Sequence, residues 1–263
     1  MRCKMTLSGY IHDLQSRAVY IFTQEELPKV LEGGHEAIRK AIARLLASKQ
    51  IVRLHTGLFC IVPVEYQNVG APPGVWIIDA LMSYLRQPYY VGLLTASALH
   101  GAAHQQPFEF QVITTKQVKP LSLGRSCIKF YTKHLCADTP AEMKKSDTGY
   151  FKVSTPEVTA FDLLKYINNV GSLQNVATVL QELAAKIDPK KLVAAASYFD
   201  LPTIQRTGYL LETYGEVAMT DKLLEWVTSK KPRVIALRSD LKPLGIKNTN
   251  WRIIVNDEIE VDI

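Results

Sequence analysis

The sequence predicts an α+β protein with a small N-terminal domain and a larger mixed α/β domain. Within the first 64 residues, three helix-like stretches precede a pair of strand-like runs. A connection rich in proline and glycine follows, and it has little apolar periodicity. Beyond it come strand-like runs and then a long helical region. We therefore expect one domain at 1–64, a linker at 65–74 and a second domain at 75–263.

The first elements follow from the spacing of apolar and capping residues. Residues 7–16 carry an apolar stripe and predict a helix, and residues 20–22 predict a short strand. Thr23 and Glu26 have the spacing of a capping box, so a second helix is expected directly after Thr23. The pair at 33–34 is Gly-Gly and predicts the end of that helix, because glycine adopts positive φ without strain.

The third predicted helix, from 35 to about 49, carries the main functional hypothesis. At about 100° per residue its apolar side chains share one face, which we expect in the core. The opposite face combines cations with small alanines, which lets a helix approach the floor of a DNA groove. The helix residues predicted to contact DNA are His35, Glu36, Arg39, Lys40 and Arg44. A solvated surface helix would show the same pattern.

The strand pair at 51–62 supports the DNA-binding interpretation, because a hairpin directly after three helices is the order of a winged helix-turn-helix. Its turn contains Gly57. Arg53 and His55 alternate outward and are predicted to contact the phosphate backbone or minor groove. Residues 1–62 hold nine Lys and Arg against five acids, in a chain whose formal net charge is +6. Most of the excess positive charge therefore lies in this short segment.

Five segments, spread over nearly the whole chain, share their order and spacing with one protein family. They are RLHTGLFCIVP (53–63), YYVGLLTASALHG (89–101), STPEVTAFDLL (154–164), RTGYLLETYG (206–215) and Trp251 with Val255-Asn256. No single segment is specific. Taken in this order, they make the chain resemble the AbiEi-type antitoxins of bacterial type IV toxin-antitoxin systems.

This resemblance implies a winged helix-turn-helix joined to a larger C-terminal antitoxin domain. It implies that the winged helix represses its own operon by binding inverted repeats in the promoter. It also implies that the C-terminal domain neutralises a nucleotidyltransferase toxin without a stable toxin-antitoxin complex. The expected partners are therefore double-stranded operator DNA and that toxin.

Two further basic clusters lie in the predicted second domain. Between 110 and 137, where FQVITT and CIKFYT predict strands, there is no acid. This segment is either an auxiliary nucleic-acid patch or a solvated sheet face. Its cations are Lys116, Lys119, Arg125, Lys129 and Lys133. In the second cluster, at 230–252, we expect the cations to pair with nearby acids, including those of the C-terminal tail.

The sequence contains none of the common catalytic or cofactor motifs. His100 and His104 have the i, i+4 spacing of zinc ligands but lack the intervening glutamate and a third ligand, so no metal is expected. No phosphate-cradling loop or nucleophile elbow is present. We therefore expect no cofactor and no enzymatic activity. The alternatives are a winged helix that delivers a catalytic domain to nucleic acid, and a winged helix that binds protein.

Cysteine usage and hydropathy bear on the cellular compartment. Cys3, Cys60, Cys127 and Cys136 form no C-x-x-C pair, and the N-terminus lacks the apolar core of a signal peptide. No apolar stretch approaches the roughly 20 residues that cross a bilayer. We expect free thiols, no membrane partner and a cytoplasmic protein.

Overall fold

The protein is mixed α/β, as predicted, and divides into two compact units. The computed structural model describes residues 5–31, 34–102, 108–215 and 217–259. Unit 1 comprises Met1–Tyr89, Phe108–His134 and Met143–Lys152. Unit 2 comprises Tyr90–Pro107, Leu135–Glu142 and Val153–Ile263. The strand segments that carry the predicted auxiliary patch thus belong to the same unit as the N-terminal helices.

The N-terminal part of unit 1 has the element order expected from the sequence. Its elements are α1 (Leu7–Ser16), β1 (Ile21–Thr23), α2 (Leu27–Val30), α3 (His35–Ala47), β2 (Ile51–His55) and β3 (Leu58–Ile61). The strands form an antiparallel sheet in the order β1-β3-β2. Apolar side chains of all six elements meet in one core, which includes Ile11 of α1, Ile42 of α3 and Phe59 of β3. This arrangement is consistent with a winged helix-turn-helix.

The start of α2 differs from the prediction. The side chain of Glu26 accepts a hydrogen bond from the backbone N–H of Thr23 at 3.1 Å, which is one half of the expected capping box. The helix itself begins later, at Leu27. Residues 23–27 form i→i+3 turns instead, and Pro28 has no N–H with which to extend an α-helical ladder backwards.

The predicted Gly-Gly turn before α3 is also only partly described. Gly34 has φ −77° and is the N-cap of α3, so it does not use positive φ. Any residue can adopt this extended conformation. Gly33 lies outside the described residues.

The remaining elements follow in chain order. They are α4 (Gly74–Tyr84), β4 (Tyr89–Val91), α5 (Leu93–Leu99), β5 (Glu109–Thr114), β6 (Leu121–Leu123), β7 (Ser126–Thr132), β8 (Ala141–Ser146), β9 (Gly149–Ser154), α6 (Pro156–Lys165), α7 (Ile167–Val170), α8 (Leu173–Ala184), α9 (Pro189–Ala196), α10 (Leu201–Tyr214), α11 (Val217–Ser229), β10 (Ile235–Ala236), β11 (Ile246–Asn248) and β12 (Ile253–Val255). The two strands predicted at 110–115 and 127–132 are confirmed as β5 and β7, and the long helical region predicted after the strands is confirmed as α6 to α10.

In unit 1, β5 and β7 pair in parallel over six residues, and β6 folds back antiparallel on β7. The predicted linker at 65–74 lies inside this unit, where Val64–Tyr66 forms a 3-10 turn. A division into domains at that linker stays a prediction.

Unit 2 combines the later helices with a small sheet in which β12 is the central strand. It pairs in parallel with β10 and antiparallel with β11. The strand-like runs at 251–255 and 259–263, joined by a plausible turn at Asn256-Asp257, would predict a closing strand pair. Both edges of β12 are already occupied, and 260–263 lie outside the described residues.

Several residues of the predicted motifs build the interior of unit 2. Thr155 caps α6, since its side chain accepts from the N–H of Val158. Asp162 is fully buried and accepts a hydrogen bond from the hydroxyl of Tyr90 at 2.8 Å. His100 is buried, and its Nε2 donates to the carbonyl of Ser154 at 2.7 Å. His104 lies outside the described residues. These polar groups therefore satisfy one another inside the unit.

The cysteines of the described residues are free thiols, as expected. Cys60 and Cys136 are buried and Cys127 is half-buried, whereas Cys3 lies outside the described part of the chain. Burial raises the pKa of Cys60 to about 12, so this thiol is protonated at neutral pH. Among the described residues, every helix is too short or too polar to span a bilayer.

The contact of Gly208 with Trp251 explains a glycine in the middle of a helix. Gly208 lies inside α10, and Trp251 is fully buried. A Cβ at 208 would overlap the six-membered ring of the indole. The tight packing of α10 on this part of unit 2 therefore requires the absence of a side chain.

We predict that Gly208→Ala lowers the free energy of unfolding by about 1–3 kcal/mol, because overpacking outweighs the better helix propensity of alanine. The measurement is urea denaturation followed by circular dichroism. Gly9→Ala is the matched control: Gly9 is exposed within α1, and its added Cβ meets only ordinary contacts. It should stabilise the protein by about 0.5–1 kcal/mol. Equal effects of the two substitutions would contradict the packing argument.

Candidate nucleic-acid interface

The outward face of α3 is fixed by its buried face. Ile38, Ile42 and Leu45 are buried, as the helical spacing predicts. The opposite residues point into solvent, and all five helix residues predicted to contact DNA are exposed. These are His35, Glu36, Arg39, Lys40 and Arg44. Burial of one stripe therefore presents a cationic face on the other side of the same helix.

The cations of this face differ in their engagement. Lys40 forms an ion pair with Glu36 one turn earlier, at 2.9 Å, and both side chains are 70% exposed. Glu36 also lies in the first turn of α3, where an acid interacts favourably with the helix dipole. Within the described residues, the Arg39 side chain has no ionic or hydrogen-bonding partner. Of these two neighbouring cations, Arg39 is therefore the more available for an anionic ligand.

Arg44 lies on a different side of α3. It lines a groove of about 490 Å³ between α3 and the start of α1, together with Thr6 and Ser8. Thr6 is the N-cap of α1 and accepts from the N–H of Gly9 at 3.2 Å. Backbone N–H groups at a helix start attract anions. This groove therefore combines a guanidinium with a helix N-terminus.

The wing is the hairpin of β2 and β3. Its turn is Thr56-Gly57, and Gly57 has φ +79°, which explains the glycine predicted there. Arg53 is exposed, and its guanidinium carbon lies 5.6 Å from the ring centre of buried Phe59. Stacking on the ring holds the stem of Arg53 while its charge faces solvent. His55 is also exposed.

Tyr84 anchors the wing, and sequence analysis missed it. The Tyr84 hydroxyl donates to the carbonyl of Thr56 at 2.8 Å, and its ring lies 5.8 Å from that of His55. A Cβ at Gly57 would come 3.0 Å from the same hydroxyl. Tyr84 is the last residue of α4, 28 positions after Thr56. No local pattern of the sequence indicates such a contact.

Two cations of the predicted auxiliary patch lie beside the wing. Lys116 and Lys119 belong to the connection between β5 and β6, and both are exposed. They line a cavity of about 400 Å³ that is also lined by His55. The wing and this part of the patch therefore form one continuous surface within unit 1.

The other members of the patch do not join that surface. Lys129 pairs with Glu109 at 3.3 Å, and this interaction raises the pKa of Lys129. Lys133 is buried, with 9% exposure, and so is no surface cation. Arg125 is exposed and lies just before the first residue of β7. Lys116 lies just after Thr114, which pairs with the last residue of β7, Thr132. The register thus separates Arg125 from Lys116 and Lys119.

The basic cluster at 230–252 is partly neutralised, as expected. Arg238 binds Asp240 at 2.6 Å and Asp257 at 3.1 Å, and these hydrogen bonds raise its pKa. Arg206 is turned inward, where it donates to the carbonyls of Ala236 and Leu237, and burial lowers its pKa.

In the described parts of the chain, no group of three or more His, Cys, Asp or Glu is placed to hold a metal ion.

Comparisons with known proteins agree with this architecture. The solved structure titled "Crystal structure of RV2827C protein from Mycobacterium tuberculosis" matches with a TM-score of 0.65 at 15% identity. The match covers 96% of this chain and 92% of that chain. At this identity the similarity establishes a shared fold. No curated protein sequence matches the chain at a significant level.

The family comparison concerns the region that begins at β4 and ends in α10. Residues 90–213 match the family described as the AbiEi antitoxin C-terminal domain. The matched region contains the buried hydrogen bonds from Tyr90 to Asp162 and from His100 to Ser154, so it includes part of the interior of unit 2. Residues 90–213 are therefore similar to the AbiEi antitoxin C-terminal domain, and this similarity supports an antitoxin's role in a toxin-antitoxin system.

Proposed function

We propose that this antitoxin is also a transcriptional repressor that binds inverted repeats in the promoter of its own operon. The observation that carries the proposal is the exposed cationic face of α3, which is followed directly by a rigidly anchored wing in the same unit. In a winged helix-turn-helix, the third helix enters the major groove and the wing follows the backbone.

The contacts are divided between base reading and positioning. Arg39 is the base-reading residue, since an unpaired guanidinium binds a guanine edge with two hydrogen bonds. Lys40 assists it after release from Glu36, a change that is inexpensive because the pair is exposed. Arg44 and Arg53 bind phosphates on either side, the first beside the start of α1 and the second from the wing.

Lys116 and Lys119 extend the phosphate-binding surface beyond the wing. They share a cavity wall with His55, so a duplex that touches the wing comes within their reach. Both contact the backbone only and add affinity without sequence preference. Lys129 and Lys133 have no part in this surface, because one is paired and the other is buried.

The antitoxin activity is directed at a nucleotidyltransferase toxin, and no stable complex with that toxin is needed. The match of residues 90–213 to the AbiEi antitoxin C-terminal domain supports the antitoxin part of the proposal. The chain acts in the cytoplasm as a binding protein and not as an enzyme. The test is growth rescue: co-expression should restore growth of cells that produce the cognate nucleotidyltransferase, while size-exclusion chromatography of the two proteins shows separate peaks.

We predict that Arg39→Ala/Lys40→Ala abolishes selective binding to the duplex upstream of the protein's own gene. The measurement is fluorescence anisotropy against a scrambled duplex of equal length. Affinity for the operator should fall about 10- to 100-fold, approaching that for the scrambled duplex. Arg39→Ala alone should weaken binding more than Lys40→Ala alone, because Lys40 is engaged by Glu36 in the free protein.

The control for this experiment is Lys190→Ala/Lys191→Ala. It removes the same charge from the exposed first turn of α9, where lysine opposes the helix dipole. Operator selectivity should be unchanged in this variant. If both double variants weaken operator binding equally, α3 contributes only through the net charge of the protein. That result would overturn the proposal.

We predict a different signature for Lys116→Ala/Lys119→Ala. Affinity should fall by a similar factor for operator and scrambled duplexes, because phosphate contacts carry no sequence information. The slope of log K against log salt should decrease by up to about 2, roughly 1 for each phosphate that a lysine no longer neutralises. The measurement is a salt series of anisotropy titrations. Lys145→Ala, an exposed lysine of β8 in the same unit, is the control and should leave the slope unchanged.

A further inference from the structure

We propose that the cavity beside the wing, here called the wing cavity, binds a small amphipathic anion, and that this ligand lowers the affinity for DNA. The ligand class is a flat apolar body that carries one carboxylate, sulfonate or phosphate group. The effect on DNA rests on the proposed repressor function, whereas binding of the anion does not.

The size and floor of the wing cavity fit such a ligand. Its volume is about 400 Å³, within the usual range for small-molecule sites. Leu54 and Leu81 are buried beneath it, with exposures of 5% and 2%. The other apolar lining residues are half-buried. One is the C-cap of α4, and the other three belong to the segment from β5 to β7. The four are Leu85, Val118, Leu121 and Phe130.

The rim of the cavity is cationic. Its two cations, Lys116 and Lys119, come from the connection between β5 and β6. None of the described lining residues is an acid, and neither lysine is ion-paired within the described chain. An anionic group placed at the rim therefore meets two ammonium groups, while an attached apolar ring covers the leucines of the floor.

The walls are held in place before any ligand arrives. The loop that bears both lysines begins at Thr115, whose hydroxyl donates to the side-chain carbonyl of Gln87 at 3.0 Å. Thr114, just before it, donates to the carbonyl of Pro88 at 2.8 Å. On the opposite side, the Tyr84 hydroxyl holds the wing turn. Preorganised walls reduce the entropy that a ligand must lose on binding.

The link to DNA follows from shared groups. The cations that would hold the anion are the ones proposed to bind phosphates, so the two ligands compete. Thermodynamic linkage requires the effect to be reciprocal: DNA lowers the affinity for the anion by the same factor as the anion lowers the affinity for DNA. Occupancy of the wing cavity is thereby a route for derepression.

The test uses 1-anilinonaphthalene-8-sulfonate as the probe and the full chain as the protein. Its fluorescence should report one saturable site. Lys116→Ala/Lys119→Ala should weaken binding about tenfold or more, and Lys145→Ala should leave it unchanged. Val118→Trp, which fills the cavity, should also abolish binding. Matching circular dichroism and melting curves establish that each variant is folded.

Two results decide between specific and adventitious binding. The uncharged analogue N-phenyl-1-naphthylamine should bind weakly and show no dependence on the two lysines. Probe fluorescence that persists in Val118→Trp, or an affinity unchanged in the double lysine variant, overturns the site.

The regulatory step is tested separately in the anisotropy assay. Saturating probe should weaken operator binding in the wild type but not in Val118→Trp, which keeps the DNA-contacting residues. Probe binding without any effect on operator affinity overturns the regulation while the site stands. Failure of the wild type to bind its operator in the absence of probe overturns the proposed repressor instead.

Discussion

Burial of one apolar stripe of α3 is the constraint on which the candidate interface depends. Ile38, Ile42 and Leu45 pack into the core shared by α1, α2 and the β1-β3-β2 sheet. Each fully buried aliphatic side chain contributes about 1.5–3 kcal/mol, which far exceeds any contribution of the exposed ion pair between Glu36 and Lys40. The core therefore fixes the rotation of α3 about its axis, and the direction of Arg39 is a consequence of that rotation.

The wing depends on a second kind of constraint, a long-range hydrogen bond. A two-residue turn with one glycine forms readily, but a hairpin tip in solvent is not held in a defined position. Tyr84 supplies that position by donating to the Thr56 carbonyl. The same anchor holds the turn next to His55, which lines the wing cavity, while the threonines at the end of β5 hold the loop that bears Lys116 and Lys119. The proposed nucleic-acid contacts and the proposed ligand site thus share one frame of hydrogen bonds.

Unit 2 shows why residues shared with a family need not be functional contacts. Buried Tyr90 donates to buried Asp162, and buried His100 donates to the carbonyl of Ser154. Gly208 lacks a side chain that would overlap the indole of Trp251. These residue types suggest chemistry when met in a sequence, yet here they satisfy buried polar groups and close packing. The match to the AbiEi antitoxin C-terminal domain thus includes residues that mainly stabilise the interior of unit 2.

The sequence by itself determined the element types, the buried face of α3, the glycine turn of the wing and the internal pairing of Arg238, because each depends on residues close along the chain. Only the tertiary structure decided which cations share a surface. It brought Lys116 and Lys119 to the wing, buried Lys133 and paired Lys129 with Glu109. Charge counts along a strand carry no information about strand register or about partners some 60 residues away. Those are set by how β5, β6 and β7 pack with α4 and the wing.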